Sequence, residues 1–263
     1  MVAHPAQYTA KLQAGLGLMT ETKLLLQIWE PGMTVPTLYK EALASGQFPN
    51  VTARRLRNIV VECFAPRYLV REAAPACHLK ILLPSLTSEE LHQFLLLFTC
   101  RANLILADFI CQVYWPRYTV GNRELHNEVA RAFVQRAVDD GKTIKRWADY
   151  TIKRIAGNLT GCCADYGLLE NGVRRKRRFL PLHLSDKVAV YLVYDLHHRG
   201  LGDNSLLHHP DWALFGLERE DVLAELKRLS LNGWFLLQVG GDVVRMSWKY
   251  SDMEALCHVL AAS

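Results

Sequence analysis

The sequence lacks several features that would define its chemistry. It has seven cysteines in 263 residues, but no pair with the CxxC spacing of zinc or redox sites. Its N-terminus, MVAHPAQYTAK, has no apolar core of the signal-peptide type. Gly15 and Gly17 are not followed by GK or by a third glycine, so no nucleotide-binding phosphate loop is present. We therefore expect no disulfide framework, no metal, no cofactor and a location in the reducing cytoplasm.

A long uninterrupted apolar run is also missing. The most hydrophobic stretch, residues 91–115, is broken by Arg101 and Asp108, which lie seven residues apart and so share one helical face. A charge at membrane depth costs about 2.5–3.5 kcal/mol on insertion scales. Buried core helices therefore explain this stretch better than a membrane span, and no membrane association is expected.

The chain has an excess of positive charge. Its 31 Lys and Arg residues exceed its 26 Asp and Glu residues, which gives a net charge of +5. Half of the residues are hydrophobic, enough for a buried core. A modest positive balance favours an anionic partner.

Helical signals dominate, and the sequence predicts a mainly α protein. Thr34, Thr52 and Ser185 stand where helix N-caps are expected, and Thr87 with Glu90 has the spacing of a capping box. Shifts in composition predict three domains. These are a helix-turn-helix-like domain at 1–80, a helical middle at 81–172 and a winged-helix domain at 173–263.

A β-hairpin is predicted near the C-terminus. In NGWFLLQVGGDVVRMSWKYS, two runs of apolar and β-branched residues flank Gly240-Gly241, a pair suited to a tight primed turn. Three helices followed by a hairpin is the order of a winged helix-turn-helix, whose hairpin, the wing, reaches flanking phosphates. The alternative is that the hairpin closes the core or docks a protein.

The candidate DNA contacts are cations of three segments. The first segment is the helix predicted over TARRLRNIVVECF, whose polar residues lie away from its apolar stripe. The second is a predicted linker in ENGVRRKRRFLP, which contains five consecutive cations. The third is the hairpin, which carries two more cations. The candidate residues are Arg54, Arg55, Arg57, Asn58, Arg174, Arg175, Lys176, Arg177, Arg178, Arg245 and Lys249. The helix predicted over 219–231 has as many acids as cations and, with Glu218 before it, makes a poorer surface for phosphates.

Three segments together resemble the BrxA family of BREX, a bacterial phage-defence system. They are YTAKLQAGLGLMTETKLLLQIW, TARRLRNIVVECFAPRYL and HHPDWALFGLEREDVLAELKRLSLNGWFLLQVGGDVVRMSW. The resemblance covers nearly the whole chain. It implies a helical protein with winged-helix elements, a core similar to the antitermination factor NusB, and duplex DNA binding without catalysis beside other BREX proteins. It assigns no base-contacting residue.

Other functions fit parts of the sequence. An assembly protein whose winged helices bind proteins would suit the acidic C-terminal helix, and a NusB-like core also admits RNA. A nuclease is suggested by a literal PD…ExK match at Pro210-Asp211 and Glu225–Lys227. Glu225 and Lys227 lie two residues apart on a predicted helix and point in different directions, so they would not converge on one metal ion. The pairs His197-His198 and His208-His209 have no accompanying ligands at metal-site spacing.

Overall fold

The computed structural model describes residues 7–10, 12, 17–172, 175–241 and 243–263. Within these residues the protein is mainly helical and has two small antiparallel sheets of two strands each. The chain divides into two compact units. The first unit comprises Met1–Lys80 and Leu95–Pro181, and the second comprises Ile81–Phe94 and Leu182–Ser263. The three-domain division stays a prediction.

The first unit begins with short helices whose ends follow the sequence signals. Its N-terminal helices are α1 (Met19–Ile28), α2 (Val35–Ala44), α3 (Ala53–Asn58), α4 (Ala65–Tyr68) and, as far as Lys80, α5 (Ala74–Leu82). The hydroxyl oxygens of Thr34 and Thr52 accept hydrogen bonds from the Thr37 and Arg55 amides, at 3.3 and 3.2 Å. Both predicted caps are confirmed, and they fix where α2 and α3 begin.

The helix predicted over TARRLRNIVVECF contains a change of helical type. After α3 the backbone continues as a π-helical segment, Ile59–Phe64, and then as α4. Of the apolar stripe predicted for this helix, Leu56, Ile59, Val60 and Cys63 are buried. Ala53, which was predicted to belong to the same stripe, is exposed. A π-helical segment inserts an extra residue per turn, so it rotates the residues that follow.

The middle helices supply much of the buried apolar surface. They are α6 (Ser88–Ala102), α7 (Leu104–Phe109), a π-helical segment (Ile110–Tyr114), α8 (Trp115–Thr119), α9 (Asn127–Asp139) and α10 (Asp149–Asp165). The Glu90 amide donates to the Thr87 hydroxyl at 3.2 Å and the Thr87 amide donates to the Glu90 carboxylate at 2.8 Å. The predicted capping box is therefore confirmed.

The apolar stretch at 91–115 is folded into this helical block. Among the described residues, no single helix combines the length and apolarity needed to cross a membrane. Only α6 taken together with Leu104–Thr119 meets both criteria, as a pair bent by 115° at its break. Side chains along the pair, including Phe94, Leu97 and Phe109, are buried in the protein.

A small sheet closes the first unit. Strand β1 (Glu124–His126) pairs in antiparallel register with β2 (Lys176–Arg178), so that Glu124 lies opposite Arg178 and His126 opposite Lys176. Leu125 is buried, whereas most of the other strand residues remain at the surface. The predicted linker at 174–178 is therefore wrong for its last three residues, which form a paired strand.

The second unit is built from helices followed by a hairpin. It contains α11 (Asp186–His198), α12 (Asp203–Leu206), a short 3-10 helix (Trp212–Phe215), α13 (Arg219–Leu231), β3 (Phe235–Gly240), β4 (Val243–Trp248) and α14 (Met253–Ala262). Ser185 lies at the start of α11 but makes no capping bond, because its hydroxyl pairs with Glu90 at 3.3 Å. The predicted N-cap position of Ser185 is therefore confirmed, whereas its side-chain capping bond is absent.

The hairpin is present, but its turn is one residue later than predicted. Gly240 pairs with Val243 as the last pair of the ladder, so the turn begins at Gly241. Gly241 has a φ of 59° and Gly240 is not among the residues with positive φ. The strand ladder thus includes Gly240, which the sequence predicted to lie in the turn.

Two side chains of α12 cover the free edge of the hairpin. The Val244 amide donates to the Asn204 side-chain oxygen and the Met246 amide donates to the Asp203 carboxylate, both at 2.9 Å. These amides face away from β3 and would otherwise offer an open strand edge. On the other side, the Leu237 amide donates to the Ser230 hydroxyl at 3.2 Å, which ties β3 to α13.

Candidate nucleic-acid interface

Helix α3 presents arginines that are not neutralised by the described residues. The side chains of Arg54 and Arg57 are exposed, and neither forms an ion pair with a described residue. Arg55 and Asn58 are half-buried, and Arg55 has interactions within the protein. The Thr52 cap holds the first turn of this helix, so the exposed guanidinium groups start from a fixed backbone.

The next arginine along the chain does not extend the basic surface of α3. Arg67, which follows α3 by one helical segment, is 3% exposed and lies among Tyr68, Tyr166 and Cys63. The π-helical segment between them accompanies this change of face. Arg67 is therefore a core residue and offers no charge to a ligand at the surface.

The basic run is split between free and engaged cations. The Lys176 ammonium contacts both carboxylate oxygens of Glu124, at 2.9 and 3.0 Å. Arg177 donates to the Glu170 carbonyl at 3.1 Å, and Arg178 lies 3.8 Å from the Glu170 carboxylate. Arg175 is exposed and forms no ion pair with a described residue, whereas Arg174 lies outside the described residues.

The pairing with Lys176 alters the acidity of Glu124. The hydrogen bond from Lys176 holds the pKa of the Glu124 carboxyl below its usual range, since it favours the ionised form. A phosphate approaching Lys176 must therefore compete with a carboxylate that is already in place. Arg175 has no such competitor among the described residues and is the more available cation.

The hairpin cations both lie in the second unit. Arg245 is exposed on β4 opposite Gln238, on the face that points away from buried Phe235, Val244 and Met246. Lys249 follows the strand, and its ammonium lies 5.6 Å from the centre of the Tyr250 ring. Neither forms an ion pair with a described residue.

Most cations of α13 are already paired. Arg228 donates to Asp186 at 3.0 Å and to Glu225 at 2.6 Å, and Arg219 donates to Glu220 at 3.3 Å. Lys227 is exposed and has no ion pair with a described residue. Helix α13 therefore offers one available cation, among several carboxylates.

An open cleft lies beside β1 and β2 in the first unit. It is lined by two aromatic rings, two arginines and other polar or small residues. These are Tyr118, Gly121, Asn122, Arg123, Glu124, His126, Arg178, Phe179 and Pro181. Its volume is about 960 Å³. Of these residues, the sequence singled out only Arg178. The others form no recognisable motif in the sequence, because they come together only when β1 pairs with β2.

No metal centre emerges from the described part of the chain, and the adjacent thiols of Cys162 and Cys163 are buried. Across those residues, His, Cys, Asp and Glu form no group of three that could hold a metal ion. The ring of His197 stacks on Trp248 with centroids 4.0 Å apart. Burial raises the pKa of the Cys162 thiol to about 12 and also raises the pKa of the Cys163 thiol, so both remain protonated at neutral pH.

Comparisons with known proteins identify the family. A search of curated proteins finds no match. Among solved structures, the chain is similar to an uncharacterized protein from Magnetospirillum magneticum, with 15% identity and a TM-score of 0.57, over 73% of this chain and 95% of that chain. At this identity the likeness shows the fold alone. The BrxA family model matches residues 6–194, which is more than half of the chain. The chain therefore belongs to the BrxA family.

Proposed function

We propose that this chain is a non-catalytic DNA-binding subunit of a bacterial BREX phage-defence system. The observation that carries the proposal is the pair of exposed arginines on α3, Arg54 and Arg57, which no described acid neutralises. Arginine forks suit phosphate oxygens and guanine edges. Membership of the BrxA family supports the BREX role.

We further propose that α1–α3 form a helix-turn-helix-like module and that α11–α13 with the hairpin form a winged helix around a NusB-like middle. The order of helices followed by the β3–β4 hairpin supports the second assignment. In this arrangement α3 meets the major groove, while Arg245 and Lys249 reach flanking phosphates. The cations of the basic run at 174–178, Arg175 first among them, add backbone contacts.

Binding to unrelated duplexes over a salt series tests the proposal. Each phosphate contact contributes a slope of roughly −0.9 in log affinity against log salt. We expect the Arg54→Ala, Arg57→Ala double variant to reduce the slope by about 2 and to weaken all duplexes uniformly. The Lys227→Ala variant, which removes one exposed cation from α13, is the matched control. A chain that ignores duplexes at low ionic strength would refute the proposal.

A second function, assembly with other BREX proteins, is supported by apolar exposure in the second unit. Leu231 and Leu236 are 87% and 68% exposed, and Val243 is 53% exposed. Such residues beside an acidic helix suit a protein surface better than a phosphate backbone. Co-purification of BREX proteins that survives nuclease treatment would favour this function. Competition between duplex DNA and structured RNA separates the RNA alternative.

A further inference from the structure

We propose that the cleft beside β1 and β2 binds an unpaired nucleotide, either in a single strand or extruded from a distorted duplex. The inference rests on the proposed function, because it gives the nucleic acid a second contact on the first unit. The residues of the cleft lie outside α3, and the nucleotide that they would bind is unpaired. A bulged or single-stranded site supplies the base that a fully paired duplex keeps stacked.

Aromatic residues give the cleft a surface suited to a base. Tyr118 is half-buried, and its ring centre lies 6.0 Å from that of Phe179. Trp115 meets Tyr118 edge-on at 5.5 Å, and Tyr114 lies parallel to it at 6.0 Å. These contacts fix the tyrosine ring at the cleft wall. Stacking on a fixed aromatic ring is the usual means by which proteins hold unpaired bases of any sequence.

Charge at the cleft suits the phosphate of the same nucleotide. Arg123 is exposed and forms no ion pair with a described residue, and Arg178 is 3.8 Å from its nearest acid. The carboxylate in the lining, Glu124, is already bonded to Lys176. The cleft therefore offers two guanidinium groups to a phosphate, while the negative charge of Glu124 is already balanced by Lys176. His126 is exposed and adds a ring nitrogen that can donate a further hydrogen bond.

The size and placement of the cleft also favour a nucleotide. At about 960 Å³ it lies at the upper end of the range for ligand sites. The Phe179 amide donates to the Arg123 carbonyl at 3.1 Å, so the backbones that carry the aromatic wall and the arginine are joined directly. Tyr118 of α8 and the two arginines beside the small sheet thus line the same cleft, where they contact one nucleotide together.

A bulged duplex provides the test. Fluorescence anisotropy would compare a fully paired duplex, the same duplex with one unpaired thymine, a short oligothymidine and the corresponding uridine-bulged RNA. We expect the full-length chain to bind the bulged DNA about tenfold more tightly than the paired DNA. The Tyr118→Leu and Arg123→Ala variants should abolish that preference and leave affinity for paired DNA within about twofold. Arg136→Ala, which removes an exposed arginine of the same unit outside the cleft, should retain the preference.

A second readout does not depend on affinity. With 5-iodouracil at the bulge, irradiation should cross-link the base to Tyr118 or Phe179, and peptide mass mapping identifies the site. The leucine replacement keeps apolar bulk against Trp115 and Phe179, and thermal unfolding checks that the variant is folded. DNA and RNA arms distinguish the source of the nucleotide.

Several results would overturn the inference. They are equal affinity for bulged and paired DNA, a preference that persists in both cleft variants, or cross-links that map elsewhere. Competition by thymidine monophosphate with no preference for bulged DNA would assign the cleft to a free nucleotide instead. Failure of the proposed function looks different, because the paired duplex would then not bind at all while the oligothymidine arm still reports on the cleft.

Discussion

Helices α3 and α13 each follow other helices of their unit, yet their cations differ in whether they are already paired. On α3, Arg54 and Arg57 are exposed without a described acid beside them. On α13, Arg228 is held by Asp186 and Glu225, and Arg219 by Glu220. A count of positive residues does not distinguish the two helices. What distinguishes them is whether each charge already has a partner.

The largest expected effect comes from reversing charge on the two helices in turn. The Arg54→Glu, Arg57→Glu double variant removes two attractions and adds two repulsions, so we expect duplex affinity at low salt to fall about 100-fold. The Arg219→Glu, Lys227→Glu double variant changes net charge equally, and we expect less than about a threefold loss. Anisotropy with one duplex measures both. Equal losses would mean that total charge, rather than α3, governs binding.

A smaller effect is expected within the basic run at 174–178. Arg175→Ala should weaken duplex binding about threefold to fivefold and reduce the salt slope by about 0.9. Lys176→Ala should change affinity by less than about twofold, because its ammonium already contacts Glu124. Parallel salt titrations of the two variants measure this. The reverse order would show that the Lys176–Glu124 pair opens when DNA binds.

Removal of an arginine should lower the stability of the protein when the arginine is on α13 but not when it is on α3. Arg228→Ala leaves two carboxylates without their shared partner, and we expect the free energy of unfolding to fall by about 0.5–1 kcal/mol, the range of partly exposed ion pairs. Arg57→Ala should leave the unfolding free energy unchanged. Urea denaturation measures both variants. A destabilised Arg57→Ala variant would contradict the description of that arginine as unpaired.

The smallest effect is a change in the titration of Glu124. Its folded pKa is depressed, so its contribution to stability is complete above the ordinary glutamate pKa of about 4.3 and is lost as pH falls through the lower folded value. In Lys176→Ala the pKa should rise toward its ordinary value, which NMR titration of the side-chain carboxyl resonance detects. An unchanged pKa would mean that Lys176 does not hold this carboxylate in solution.

Local signals in the sequence predicted much of the fold. The Thr34 and Thr52 caps and the Thr87–Glu90 box depend on residues three positions apart, so the sequence contains everything that decides them. The hairpin followed from apolar and β-branched runs around glycine. Its register was off by one residue, because ladder pairing across the strands decides where the turn begins.

Tertiary contacts decided the features that the sequence did not reveal. Residues 176–178 of the basic run pair with β1, about 50 residues earlier in the chain, and no local pattern records that pairing. Arg67 looks like any surface arginine in the sequence, yet it is buried beyond the π-helical segment. The cleft required Tyr118, Arg123 and Phe179 to be brought together. The residues that form an ion pair are likewise far apart in the sequence, as Arg228 and Asp186 are.

The second unit is discontinuous in sequence, and this limits how the protein can be divided for study. Its segment Ile81–Phe94 precedes the rest of the unit by nearly 90 residues. Phe94 packs edge-on against Tyr191 at 5.0 Å, and Gln93 bonds to the Ser185 amide and the His183 carbonyl. A fragment beginning at residue 182 would leave Tyr191 without this aromatic neighbour and those backbone groups without their amide partner. Deletion mapping of the C-terminal region would therefore report misfolding as loss of function.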